Sequence, residues 1–291
     1  MSERAVQVLI DDRARLAMAL LAASRWPEQE QASETHAVHP HAKQTRQFVS
    51  AIAATEPAVV RVNQHLQIGW PVDVMFTAVL RCNWPALQPQ EPLPSVYDDD
   101  QWQMWLVHFS RHLDWAAFWA QHAATWQEAQ SDLAHIFQNS PLPAFLSQMS
   151  GRPFTHTIAI VPNLVYPALT AVLAVTQDTF YLLLPPPKAV GESPPWPYAE
   201  DSGWVHVQTC RRLLQRVLAN TLKELPLEQQ ELLLHAATAL YLERAVDQAE
   251  ALAYVLRSKK QHKLPRLPLV VENLRAYLAE GNGRSLETVL L

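Results

Sequence analysis

The fold class depends most on residues 154–184, which read FTHTIAIVPNLVYPALTAVLAVTQDTFYLLL. This stretch holds three short apolar runs rich in Val, Ile, Thr and aromatic residues: Phe154–Pro162, Ala168–Thr176 and Thr179–Leu184. Each run is bounded by proline, asparagine or aspartate, and such runs are typical of β-strands. We therefore predict one small sheet here, in a chain whose other segments show helical periodicity.

Helices are predicted on both sides of these strands. Apolar spacing before them predicts a helix over Val6–Ser24, a second over His41–Ala54 and a third that starts at Glu56-Pro57. After the strands, the pattern predicts a helix over Trp204–Thr221 that packs on the sheet, and one helix over Leu227–Arg257.

These elements predict an α+β fold that is mostly helical, with a small mixed sheet packed by a motif helix and a helical N-terminal lobe. We expect residues 1–150 to form the helical lobe. Residues 151–291 should form the sheet and a second helical lobe, and both should belong to one compact unit.

A run of aromatic residues follows the acidic triplet Asp98-Asp99-Asp100. The triplet predicts an N-cap and an acidic first turn for a helix that continues to Phe137, with a divalent-metal site as the alternative. Aromatic residues at spacings of three and four favour a core, with a sugar- or base-stacking surface as the alternative. The residues are Trp102, Trp105, Phe109, Trp115, Phe118, Trp119 and Trp126.

Composition excludes several classes of protein. Only 6 of the 291 residues are glycine, and they form neither a dinucleotide-binding nor a Walker pattern. The charges, 23 Lys and Arg against 28 Asp and Glu, give a net charge of −5, which argues against a nucleic-acid partner. The sequence lacks a signal peptide's charge order and an apolar run of about 20 residues. We therefore expect no membrane association and a cytoplasmic protein with reduced Cys82 and Cys210.

The segment Pro185–Glu200 contains six prolines. We predict that it is exposed and mobile, because proline removes backbone donors. It could connect the strands to the next helix or serve as a docking element.

The sharpest chemical spacing is His206-Val207-Gln208-Thr209-Cys210, because residues at i and i+4 face one side of a helix. Histidine and cysteine both bind zinc, and Glu243 could supply a third ligand, which leaves a fourth position open. Val207 occupies the position of a general base and cannot accept a proton. Alternatively, Cys210 is a small buried side chain and His206 a hydrogen-bonded one, or the two form a nucleophilic dyad.

From about Asp12 onward, the chain resembles a little-characterised family of zinc metallopeptidases of the zincin, gluzincin-like type. The resemblance rests on Arg13-Ala14-Arg15-Leu16, His39-Pro40-His41, Gly151-Arg152-Pro153-Phe154 and Glu243-Arg244-Ala245-Val246. In that family, a helix after the sheet carries H-E-x-x-H, and a glutamate on the following helix completes the zinc site.

By position, the resemblance implies that His206 matches the first histidine and Cys210 the second, while Val207 replaces the catalytic glutamate. Glu243 matches the glutamate ligand, with Glu231 and Glu250 as alternatives. The implied protein is a catalytically degenerate homologue, a pseudoenzyme without a cofactor that binds a peptide or protein partner. The alternative is an active metal-dependent hydrolase that uses His206, Cys210 and Glu243 as zinc ligands.

Two further histidine clusters are present. His108 and His112 also have i, i+4 spacing, with Asp114 as the nearest acid in sequence, and we interpret them as partly exposed residues of an amphipathic helix. The second cluster is His36, His39 and His41, whose position before a helix favours turn chemistry, with a metal site as the alternative.

Overall fold

The computed structural model describes residues 6–33, 37–165, 171–188, 195–280 and 286–290. Over these residues the protein is mostly helical with one small mixed sheet, so the predicted α+β class is confirmed. The strands are β1 (Val6–Val8), β2 (Thr157–Pro162), β3 (Val172–Val175) and β4 (Thr179–Leu184). The helices are α1 (Asp12–Ala23), α2 (Trp26–Ser33), α3 (Pro40–Val49), α4 (Pro57–Gln67), α5 (Val72–Leu80), α6 (Asp100–His112), α7 (Trp115–Gln121), α8 (Ala123–Ile136), α9 (Leu142–Ser150), α10 (Ser202–Val217), α11 (Ala219–Glu224), α12 (Leu227–Ala245), α13 (Gln248–Gln261) and α14 (Leu267–Glu280), with 3₁₀ turns at Tyr198–Asp201 and Leu286–Leu290.

The sheet has the strand order β1-β2-β4-β3. Strands β2 and β4 run parallel, from Thr157 opposite Thr179 to Pro162 opposite Leu184, and β3 pairs antiparallel with β4. All three predicted runs therefore form strands, the third over its full range. The start of the second run, residues 168–170, lies outside the described residues.

Strand β1 is a correction to the sequence analysis, which assigned its residues to the first helix. The backbone N–H of Leu9, just after this strand, donates to the carbonyl of Ile160, 3.0 Å away, so the segment extends the sheet. Helix α1 begins only at Asp12, because the Asp11 carboxylate accepts from the N–H groups of Arg13 and Ala14 and caps the helix there.

Two helices that the sequence predicts as continuous are each interrupted. The predicted helix to Phe137 is broken after α6, where Leu113 is extended and the Asp114 carboxylate accepts from Ala117 N–H at 3.0 Å to cap α7. The predicted helix over Leu227–Arg257 ends at Ala245, and the Asp247 carboxylate caps α13. In both places an N-capping aspartate starts a new helix although the apolar spacing continues.

The chain divides into two compact units. One contains Gln7–Phe137 and Thr157–Asp201, and the other contains Gln138–His156 and Ser202–Leu291 together with the N-terminal residues. In the first unit, α5 packs on β3 and α8 packs on β2. In the second, α10, the helix that the sequence places against the sheet, packs on α9 and α12. The division at residue 150 stays a prediction.

Helix α12 is the central helix of its unit. Its residues from Leu232 to Leu242 are all buried, because alanine and leucine occupy every side of the helix. Among the described residues, no helix is both long enough and apolar enough to span a membrane.

The aromatic run is core, as the sequence predicts. Trp102 and Phe109 are fully buried, and Trp126 is 1% exposed, whereas Trp105 is half-buried. Asp99 provides the predicted N-cap, since its carboxylate accepts from Trp102 N–H at 2.6 Å.

Both ends of the proline-rich segment contain buried residues, although the sequence predicts that the segment is exposed. Pro185, Pro187 and Tyr198 are buried, and the Tyr198 hydroxyl donates to the carbonyl of Leu184 at 2.5 Å and accepts from Asn163 N–H at 3.1 Å. This hydroxyl joins the ends of β2 and β4 and holds the returning chain against them. The middle of the segment, 189–194, lies outside the described residues.

Candidate functional site

His206 lies on α10 and faces α12. Its side chain is buried, and its Nδ1 lies 3.0 Å from the hydroxyl of Tyr241, which also lies 3.4 Å from Ser140 Oγ. Burial lowers the pKa of His206 to about 4, so the imidazole is neutral at pH 7. His206 is therefore part of a buried hydrogen-bonded contact between two helices.

Cys210, one turn later on α10, has no exposed surface. Burial raises the pKa of its thiol well above the ordinary value, so the thiolate that nucleophilic catalysis or zinc binding requires is disfavoured. Val207, at the position of the family's catalytic glutamate, is half-buried and apolar. These environments correspond to the alternative in which Cys210 packs as a small apolar side chain.

All three glutamates considered as a zinc ligand are paired with arginine. Glu243 contacts Arg275 at 2.6 Å, and the two alternatives pair in the same way: Glu231 with Arg211 at 2.9 Å and Glu250 with Arg257 at 2.7 Å. Within the described part of the chain, His206, Cys210 and Glu243 do not bring three ligand atoms within 4.8 Å of one another.

His235 forms a buried polar contact in the same unit that the sequence analysis did not single out. Its Nε2 accepts from Arg211 Nη1 at 2.6 Å, and its Nδ1 lies 2.7 Å from the Tyr254 hydroxyl. Because arginine can only donate, the imidazole is neutral and its Nδ1–H donates to Tyr254. Burial, with the Arg211 charge as a smaller cause, lowers the pKa of His235 to about 3.

His108 and His112 meet an acid that the sequence analysis did not consider. Both Nδ1 atoms lie 3.1 Å from the carboxylate of Glu56, which precedes α4 and is fully buried. The two imidazoles are 58% and 42% exposed, as the interpretation of an amphipathic helix requires. Over the residues described, this is the one group of three His, Cys, Asp or Glu side chains with the spacing of metal ligands.

The histidines before α3 take part in a helix cap, in agreement with the predicted turn chemistry. His39 caps α3, and its Nδ1 accepts from His41 N–H at 3.1 Å. His41 is buried, and its Nε2 accepts from the indole N–H of Trp126 at 2.9 Å. His36 lies outside the described residues.

A cavity of about 600 Å³ opens among the α1, α6, α7 and α8 elements of the first unit. Arg15 lies against its aromatic wall, with the guanidinium carbon 4.2 Å from the ring centre of Trp119, and it is hydrogen-bonded to Asp12. The other polar groups of the wall include Asp114 and Gln127. The aromatic wall consists of Trp84, Trp115, Trp119 and Trp126.

The tryptophan rings of this cavity are tilted against one another. The ring centres of Trp84 and Trp119 are 5.8 Å apart at 46°, and those of Trp115 and Trp119 are 5.7 Å apart at 34°. Rings at this separation contact one another directly. Trp115, Trp119 and Trp126 are buried, so Trp84 is the tryptophan of the wall with a well-exposed side chain. The volume is in the usual range for a ligand pocket, roughly 300–1,000 Å³.

Fold and site together define a mostly helical α+β protein with a tryptophan-walled cavity and a histidine–glutamate cluster. No protein-family model, curated protein or solved structure matches this chain.

Proposed function

We propose that this protein is a catalytically degenerate zincin-like homologue that binds a peptide segment of a partner and does not hydrolyse it. The proposed peptide binding rests on the tryptophan-walled cavity, which we infer to be the binding site. The occupant is a proline-containing segment with a basic side chain.

The chemistry of the wall supports this occupant. Proline-rich segments dock in surface grooves lined by aromatic side chains, because their extended helix is preformed and loses little entropy on binding. The carboxylate of Asp114 lines the same cavity and can attract a lysine or arginine of the peptide, whereas Asp12 is paired with Arg15. Tryptophan side chains are also among the strongest single contributors to binding at interfaces.

The absence of hydrolysis is supported by the surroundings of the α10 helix. Val207 offers no base to activate water, and a positioned general base contributes about 10²- to 10⁴-fold in rate. Glu243 is held by Arg275, and the Cys210 thiol is buried. A hydrolase that uses these residues would have to separate an ion pair and ionise a buried thiol.

Replacement of Trp84 by alanine should weaken peptide binding by about 10- to 30-fold, because a truncated tryptophan anchor costs roughly 1.4–2 kcal/mol. Trp84 is suited to this test because it is 37% exposed, so that its loss leaves the core intact. Calorimetric titration with a synthetic peptide of ten prolines and one lysine measures the change.

The matched control is Trp70→Ala. Trp70 is 39% exposed, belongs to the same unit and does not line the cavity. Its replacement should leave the affinity unchanged. Equal weakening in both variants, or no saturable binding by the unmodified protein, would contradict the proposed site.

A further inference from the structure

Glu56 has a buried carboxylate that, among the described residues, pairs with histidines and with no arginine or lysine. It occupies the N-cap position of α4 but makes no capping hydrogen bond with its side chain, which has no exposed surface. The described residues that contact its oxygens are His108 and His112. A buried carboxylate is costly unless its charge is compensated.

One ligand atom from each of the three side chains lies within 4.8 Å of the others. The Nδ1 atom of His108 lies 3.1 and 3.2 Å from the two Glu56 oxygens, and that of His112 lies 3.1 Å from Oε2. Zinc bonds of about 2.0–2.1 Å in a tetrahedral arrangement place neighbouring ligand atoms roughly 3.3 Å apart. An ion that replaced the two Nδ1 protons would therefore need only small shifts of the ligands.

The local fold supports this arrangement from two sides. His108 and His112 are one turn apart on α6 and face the same side of the helix, and their ring centres are 5.0 Å apart. Glu56 approaches from the start of α4, which packs against α6. The exposed imidazoles leave one side of the cluster open to solvent, where water or a ligand atom could complete the coordination.

We propose that Glu56, His108 and His112 bind a divalent transition-metal ion, and that this ion is zinc. Two imidazoles and one carboxylate form a ligand set that zinc accepts, whereas magnesium and calcium prefer oxygen ligands alone. None of these three residues lies on α10 or lines the tryptophan-walled cavity.

The test is a zinc titration of untagged protein that was prepared without nickel and dialysed against a chelator. Competition with a chromogenic zinc chelator should show one zinc per chain, and an excess of magnesium should not displace it. Loss of a residue that only hydrogen-bonds to a metal ligand lowers metal affinity by roughly 10- to 100-fold. His108→Ala and His112→Ala each remove a ligand, so each should lower the zinc affinity by more than this. Both side chains are exposed, so both variants should keep the circular dichroism of the unmodified protein.

The matched control is His135→Ala, which removes an exposed histidine of the same unit outside the cluster and should leave zinc affinity unchanged. Cobalt provides a second measurement, because its visible absorption should show imidazole coordination that both cluster variants lose. Three results would overturn the proposal. They are the absence of saturable zinc binding, unchanged binding in the double His108→Ala, His112→Ala variant, and a loss of zinc that occurs in His206→Asn but not in the cluster variants.

Discussion

A fall in pH from 7 to 5 should lower the free energy of unfolding by about 2 kcal/mol for each of His41 and His235. Burial is the main cause that lowers the pKa of His41 to about 4 and that of His235 to about 3. In the unfolded chain both should titrate near 6.5. Between the folded and unfolded pKa values, the unfolded state binds more protons than the folded state. The stability that each histidine contributes is therefore fully present above about pH 6.5 and is lost as the pH falls towards its folded pKa.

The hydrogen bonds of the two imidazoles also favour the neutral form in the folded protein. Trp126 N–H donates to His41 Nε2, and Arg211 donates to His235 Nε2, so protonation of either Nε2 would remove an acceptor inside the protein. The fall of about 4 kcal/mol for the two residues together is a large part of the roughly 5–15 kcal/mol that stabilises a domain.

Urea unfolding at pH 7 and pH 5, applied to His41→Gln and His235→Gln, measures the contribution of each residue. A glutamine oxygen can accept the hydrogen bond that Nε2 accepts, but it does not titrate. Each variant should therefore lose about 2 kcal/mol less on acidification than the unmodified protein. His135→Gln, a change at an exposed residue, should behave as the unmodified protein does. Equal losses in all the proteins would show that the buried histidines do not cause the acid sensitivity.

Replacement of Trp102 by alanine should reduce the free energy of unfolding by about 3–5 kcal/mol. Trp102 is fully buried, and its ring centre lies 4.4 Å from that of Tyr97. The substitution removes most of a large apolar surface and leaves a cavity that the neighbouring residues fill only partly. Denaturant unfolding of both proteins under the same conditions measures the loss, provided that the m-value does not change.

Met104, two residues later on the same helix, provides the control because it is 59% exposed. Met104→Ala has the same backbone environment and should change stability by less than about 0.5 kcal/mol. The loss of stability in Trp102→Phe should lie between those of Met104→Ala and Trp102→Ala, since phenylalanine keeps an aromatic ring. Comparable losses for Met104→Ala and Trp102→Ala would contradict the assignment of the aromatic run to the core.

Short-range patterns in the sequence predicted much of the fold. The three strands follow from runs of β-branched and aromatic residues, and the cap at Asp99 follows from an acidic residue before a helical pattern. These features depend on neighbours within a few residues. The helix breaks at Asp114 and Asp247 were missed, because one capping residue changes the backbone while the apolar spacing continues across it.

The candidate sites were less predictable, since they depend on contacts between distant segments. The spacing of His108 and His112 was visible in the sequence, but Glu56 precedes His108 by 52 residues and no local pattern connects them. Glu56-Pro57 was interpreted only as a helix start. Conversely, the spacing of His206 and Cys210 suggested ligands, whereas His206 contacts Tyr241 and Cys210 is fully buried. Helical spacing identifies a shared face but does not reveal what lies opposite it.

Binding without hydrolysis can be tested by mass spectrometry of a proteome-derived peptide library that is incubated with untagged protein and zinc. We expect proline-containing peptides to be retained with the protein and recovered intact, and Trp84→Ala to reduce their retention. Cleaved peptides, with cleavage abolished by His206→Asn and by Cys210→Ala, would contradict the proposed function and identify an active hydrolase.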